Sequence, residues 1–151
     1  LISEGFLKKE EIGKAWRLSP VQRHPYFTTR KIPFNLQMVY ETGIVNFVRE
    51  KIPQTKAIIL FGSYRWGTDN EKSDVDIAVE IIDNNEPIIE EIGQAVLAYR
   101  KNVKINLYTF SRNKMDLNLF NNIANGIVLD GFLEVKTWET FTQTQKMQTV
   151  Y

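Results

Sequence analysis

A run of five apolar residues, Ala57-Ile58-Ile59-Leu60-Phe61, passes directly into Gly62-Ser63, and ten residues later the chain reads Asp74-Val75-Asp76. No other feature constrains the chain more. The apolar run predicts a strand buried on both faces, and the glycine a turn where backbone can approach a ligand closely. Beyond the polar loop, alternation along a second strand, Asp74–Ile82, sets Asp74 and Asp76 on one face and Val75, Ile77 and Val79 on the other. Two carboxylates held side by side repel unless a cation lies between them. A hard divalent ion with oxygen ligands, most naturally Mg²⁺, suits that pair. The Gly62-Ser63 turn offers backbone N–H groups and a hydroxyl to phosphate, and Arg65 and Ser73 are further phosphate candidates. Together these residues equip a site for a nucleoside triphosphate.

Residues 57–80 resemble the signature of the DNA polymerase beta-like nucleotidyltransferase superfamily: Gly-Ser, ten residues, Asp-x-Asp. Within it the chain is most similar to the minimal nucleotidyltransferases of prokaryotes. The resemblance implies an α/β (α+β) fold, a mixed sheet with helices on one face. It implies Mg²⁺ on Asp74 and Asp76, the triphosphate of ATP or another NTP on Gly62 and Ser63, and transfer of a nucleoside monophosphate to a hydroxyl. Members of this type act as the antitoxin half of a toxin–antitoxin pair, which implies a small helical toxin-like protein as partner and acceptor.

The resemblance also implies a third carboxylate on the neighbouring strand, Val103–Tyr108, and that position falls on Asn106. Asparagine can offer a carbonyl oxygen but brings no negative charge and accepts no proton. Nucleotide binding is therefore better supported than turnover, and the alternative is a nucleotide-binding, catalytically weak, DNA-binding regulator. Glu80, on the Asp76 face by parity, and Asp83 are candidate substitutes for the missing acid.

Residues 34–135 form the expected nucleotidyltransferase domain. Phe34–Lys51 predicts one helix with Met38, Val45, Val48 and Ile52 inward. Pro87 opens a second helix, running to about Lys101 with Ile88, Ile92, Val96 and Tyr99 inward. Ser63 is placed to cap a short helix through Trp66. Ser111 is placed to cap another, which ends at Asn125-Gly126. Ile127–Leu129 reads as a closing strand. Residues 136–151, rich in Thr and Gln, read as a loose tail or partner-binding extension.

In residues 1–33, Gly5 ends a helical turn, Gly13-Lys14 turns a hairpin, and Pro20, Pro25 and Pro33 mark a surface linker that carries a lone surface histidine, His24. This order resembles the end of a winged helix-turn-helix domain. That likeness would make Lys8, Lys9, Lys14 and Arg17 contacts to nucleic acid; a hairpin that only packs on the catalytic domain reads equally well. Residues 1–51 carry a net +4 against −3 for the remainder, a weak bias toward an acidic partner at the front end. The absence of cysteine removes disulfides and thiolate metal sites. No apolar run reaches membrane-spanning length, so a cytoplasmic protein is expected. Oligomeric state is left open by the sequence.

Overall fold

The computed structural model describes residues 1–82, 86–98, 100–111 and 114–134. The tail expected at 136–151, and Asp83 as a ligand, lie outside the described residues. The first elements are a hairpin of β1 (Leu7–Ile12) and β2 (Ala15–Pro20), then a wide helical turn at Phe27–Lys31. Two helices follow, α1 (Ile32–Glu41) and α2 (Ile44–Lys51). The rest of the order is β3 (Thr55–Phe61), α3 (Gly62–Trp66), β4 (Val75–Ile81), β5 (Ile88–Leu97), β6 (Arg100–Phe110), α4 (Leu117–Ala124) and β7 (Ile127–Gly131).

Five strands form one mixed sheet in the order β5-β6-β4-β3-β7. β3 lies antiparallel to β4 and β7, β4 runs parallel to β6, and β5 pairs antiparallel with β6. The central strand β3 is buried throughout its apolar run, as five consecutive apolar residues predict. Ile58 and Leu60 pack with Val39, Ile44 and Val48 of α1 and α2. Ala57, Ile59 and Phe61 pack on the other side with Ala78, Phe110 and Ile123 of α4. Each such large side chain removed from water stabilises the fold by about 1.5–3 kcal/mol. The mixed sheet stands as expected, whereas helices on one face alone is corrected. A central strand apolar on both sides needs cover on both, and α4 supplies the second layer.

Four local expectations differ from the structure. The single helix over 34–51 starts earlier, at Ile32 with Pro33 in its first turn, and is divided at Gly43, whose φ of 74° reverses the chain. The linker expected over 20–33 is already helical from Phe27, which is buried. Of the helix predicted over 87–101, Ile88–Leu97 is instead the edge strand β5 and Arg100 already opens β6; Tyr99, expected inward, lies outside the described residues. The apolar residues of β5 do fall at helical spacing, but Gly93 weakens a helix by about 1 kcal/mol relative to alanine. Pairing with β6 supplies what local propensity does not. A register shift between Glu91 and Gly93 then turns Ile92, Ala95 and Leu97 toward the core, while Ile88 and Val96 stay exposed. Finally, α4 is capped by Asp116, whose carboxylate accepts from the N–H groups of Asn118 and Leu119, and not by Ser111. Its end at Asn125 agrees with the sequence.

The N-terminal hairpin forms about the Gly13-Lys14 turn as predicted. Leu1–Phe6 has the geometry of a helix end: Phe6 N–H donates to Leu1 O and Gly5 N–H to Ile2 O, both at 3.0 Å, the paired bonds of a Schellman cap. Phe6 stacks edge-on against Phe27 and lies near His24 and Tyr26. His24 is thus half-buried in an aromatic cluster rather than a plain surface histidine. Its Nε2–H donates to Glu4 O at 3.0 Å and its Nδ1 accepts from the Tyr26 N–H.

Candidate functional site

The site is built where β3 ends and β4 begins. Phe61 pairs with Asp76, so the chain leaving β3 turns directly over the acid. Gly62 takes a φ of 70°, and a Cβ there would lie 2.4 Å from Asp76 Oδ2. Only a residue without a side chain lets the backbone come this close to the carboxylate. Ser63 follows inside α3, whose N-cap is Phe61 without any side-chain cap bond; the capping role expected for Ser63 is corrected. The hydroxyl stands in the first turn because Gly62, in its left-handed conformation, already begins the helix.

β4 alternates as the sequence predicts. Val75, Ile77 and Val79 enter the α1–α2 core, and Asp76 and Ala78 take the other face. Asp74, one residue before the strand, is half-buried and close enough for its charge to act on Asp76. In the parallel register Asp76 sits beside Asn106, whose Nδ2 donates to Asp76 Oδ1 at 3.1 Å. Burial pushes the Asp76 carboxyl above its usual range; the Asn106 hydrogen bond pulls it down, and the Asp74 charge pushes it up again. Two hard oxygen donors that raise each other's energy in this way fit a divalent cation. Magnesium needs few protein ligands, because phosphate oxygens and water complete its shell. Among the described residues there is no cluster of three or more His, Cys, Asp or Glu side chains able to hold a metal, so Asp74 and Asp76 would carry it as a pair.

The raised value sets a pH dependence. Native Asp76 holds its proton more tightly than the unfolded chain does, so stability falls as pH rises from the ordinary aspartate value through the raised folded one. Asp76→Asn removes that penalty. In metal-free melts from about pH 3 to pH 7, which spans the carboxylate range, the variant is expected to gain on wild type as pH rises. A constant difference in Tm across the series would contradict it.

Three side chains near the acids escaped the sequence reading. Lys104, Asn106 and Tyr108 alternate along β6 and so share a face. The Tyr108 phenol is pushed up by burial and by the charges of Asp76 and Asp74, and its ring meets Phe61 edge-on at 5.0 Å. Lys104 donates to Glu91 Oε2 at 2.8 Å; that bond and its charge, with a smaller share from Asp74, hold the ammonium above its usual range. Arg100 is the third. Its guanidinium donates to the carbonyls of Glu71 and Ser73, both at 2.9 Å, and to the Tyr64 hydroxyl. Parity could have found the first two, but Arg100 carries no local signal.

The other candidates are placed as follows. Arg65 lies in α3 with Nε donating to Asn125 O at 2.7 Å and its guanidinium 3.9 Å from the Trp66 ring centroid. The Ser73 hydroxyl accepts from the Asn70 N–H at 3.0 Å and shapes the loop before Asp74. Glu80 is almost fully buried and stands about 13 Å along the strand from Asp76 at roughly 3.3 Å per residue, so it is corrected as a substitute ligand. The hairpin residues form no part of this site: Lys8 pairs with Glu10 at 2.8 Å, and Lys9 with Glu11 at 3.5 Å and over the Trp16 ring. Lys14 and Arg17 lie on the exposed hairpin with them. Among the described residues no helix is long and apolar enough to cross a membrane.

Comparison with known proteins agrees with this geometry. The chain is 46% identical over 44 residues to the protein adenylyltransferase MntA of Shewanella oneidensis, covering 29% of this chain and 32% of that protein. It is 40% identical over 58 residues to a Methanocaldococcus jannaschii protein with a provisional protein adenylyltransferase name, covering 37% of this chain and 58% of that one. The chain thus matches about a third of the first relative's length and somewhat over half of the second's. The family model for the nucleotidyltransferase domain matches residues 42–125, more than half of the chain, spanning the Gly-Ser turn, both aspartates and Asn106. By motif, fold and family match alike, this chain belongs to the nucleotidyltransferase domain family.

Proposed function

We propose that this chain transfers AMP from ATP, with Mg²⁺, to a hydroxyl of a protein acceptor. The observation that carries the reading is the close approach of Gly62 to Asp76, where an added Cβ would lie 2.4 Å from Oδ2: backbone suited to phosphate runs against a carboxylate suited to a metal ion. When bound, Mg²⁺ would supply charge neutralisation at the phosphates. Asp74 and Asp76 hold that ion, the Gly62-Ser63 backbone and hydroxyl receive the triphosphate, and Arg65 is the nearby cation for a terminal phosphate. A protein acceptor is supported by the names of the two relatives. A small helical toxin-like partner is the acceptor we favour, with this chain as the antitoxin. Labelled ATP and Mg²⁺, with the product of the adjacent gene as acceptor, test the reaction. Label on that protein together with released pyrophosphate is the expected result, and pyrophosphate at the level of a no-enzyme control sinks it.

A second reading is favoured by one observation: an amide, acting as donor to Asp76, holds the position of a third carboxylate. On that reading the chain binds nucleotide with little turnover and serves as a regulator, the exposed hairpin with Lys14 and Arg17 touching DNA. Asn106→Asp separates the two. A third acid adds ligand charge for the ion and like-charge repulsion without it. The variant is expected to lose stability in EDTA, to gain Tm steeply with added Mg²⁺, and to raise turnover at least about tenfold, near 1.4 kcal/mol of barrier. Unchanged turnover with tighter Mg²⁺ binding would favour the regulator.

A further inference from the structure

The parallel pairing of β4 with β6 brings the start of β6 to the end of the sheet where loop 67–74 feeds β4. Arg100 opens β6 there. Two of its donors go to the carbonyls of Glu71 and Ser73 at 2.9 Å, and another nitrogen donates to the Tyr64 hydroxyl. Ser73 precedes Asp74, and Tyr64 follows Ser63. One half-buried guanidinium therefore joins the turn that receives phosphate to the segment that presents the first carboxylate. It does so from the α1 side, where it lines a small cavity of about 70 Å³ with Lys31, Asn35 and Asp69. The near end of the same loop is fixed independently: Asp69 accepts from Lys31 Nζ at 2.8 Å and from Asn35 Nδ2 at 2.6 Å.

We propose that Arg100 is a positioning residue for the nucleotide site, setting the separation between Gly62-Ser63 and Asp74 without touching substrate. A guanidinium presents its donors in a rigid fork, so it can hold two carbonyls and a hydroxyl at once. An ammonium is a point donor and cannot span all three. Loss of the clamp releases Asp74 while Asp76, paired in β4, keeps its place. Metal-assisted binding thus suffers more than the contact of phosphate with the turn. The inference rests on the nucleotidyltransferase reading above.

The test has two arms, using Arg100→Met, Arg100→Lys and Tyr64→Phe. Hydrogen exchange without nucleotide reads the clamp alone: residues 68–74 are expected to exchange faster in Arg100→Met while β3 and β4 are unchanged. Equal exchange in that segment overturns the proposal whatever the nucleotide does. Calorimetric ATP titrations at a series of Mg²⁺ concentrations read the positioning role. Partners that orient metal ligands typically change metal affinity by about 10–100-fold. Half-saturating Mg²⁺ is accordingly expected to rise at least about tenfold in Arg100→Met, with Mg²⁺-free ATP affinity kept within about twofold. Arg100→Lys should fall between, and Tyr64→Phe, which leaves the loop carbonyls held, should show part of the shift. Equal losses with and without Mg²⁺, or no shift in any variant, overturn it. If wild type binds no ATP at any Mg²⁺ level, the nucleotidyltransferase reading fails and the positioning role with it, while the exchange arm still reports whether Arg100 clamps the loop.

Discussion

Replacing Asp74 and Asp76 together by alanine is expected to abolish Mg²⁺-dependent ATP binding and leave the fold intact. Asp74 precedes β4 and Asp76 is only half-buried, and the apolar partners Val75, Ile77 and Val79 that anchor the strand are untouched. A unit charge pair 4 Å apart near a protein surface is worth about 4 kcal/mol before desolvation. Loss of two carboxylate contacts to a divalent ion should therefore weaken binding by at least about a hundredfold, or 2.7 kcal/mol. Stability should hold or rise, because burial and the Asp74 charge both disfavour the ionised Asp76 in the metal-free protein. Calorimetry with and without Mg²⁺, beside a thermal melt, checks both halves. Equal Mg²⁺-dependent binding in wild type and variant would show that the ion, if bound, sits elsewhere. A collapsed melt would show that the acids serve the fold.

Gly62→Ala is expected to be the most damaging single-methyl change in the site. Two penalties coincide. A φ of 70° places alanine in the left-handed region, a strain of order 1–3 kcal/mol. The added Cβ would also lie 2.4 Å from Asp76 Oδ2, too close for any real contact. Either the turn lifts away from β4 or the Asp76 carboxylate swings out of place. The backbone strain alone, about 1–3 kcal/mol, lowers Tm by roughly 3–9 °C for a chain of this size; the clash adds to that, and ATP binding is expected to fall below detection. The double variant Gly62→Ala/Asp76→Ala supplies the control. With the carboxylate gone, only the backbone strain is left, so the double change should be less destabilising than the two singles added together. Strict additivity would mean that Gly62 and Asp76 do not press on each other.

Much of the site is legible in the chain because its signals are local. Alternation assigns Asp74 and Asp76 to one face, and the apolar run before Gly62 marks a strand that leads into a turn. The family resemblance points to position 106 on the neighbouring strand, and the register does set Asn106 beside Asp76. Where local signals compete, the sequence reading goes astray. The apolar residues of 88–97 satisfy a helical period, yet their pairing with β6 makes them a strand. Ser111 looks like a cap, but Asp116, five residues on, starts the helix. Glu80 has the right parity and the wrong distance.

By itself, then, the sequence determined the strand–turn–strand core and the shared face of its two acids. Each follows from the two-residue period of a strand and from the freedom of glycine, properties of neighbouring residues. Only the tertiary structure decided that α4 covers the second face of the sheet. It alone decided that Lys31 and Asn35 hold Asp69, and that Arg100 ties the loop before Asp74 to Tyr64. Those bonds join residues 27 to 38 positions apart. Their partners are selected by which strand lies beside which, and no periodicity within a single segment encodes that choice.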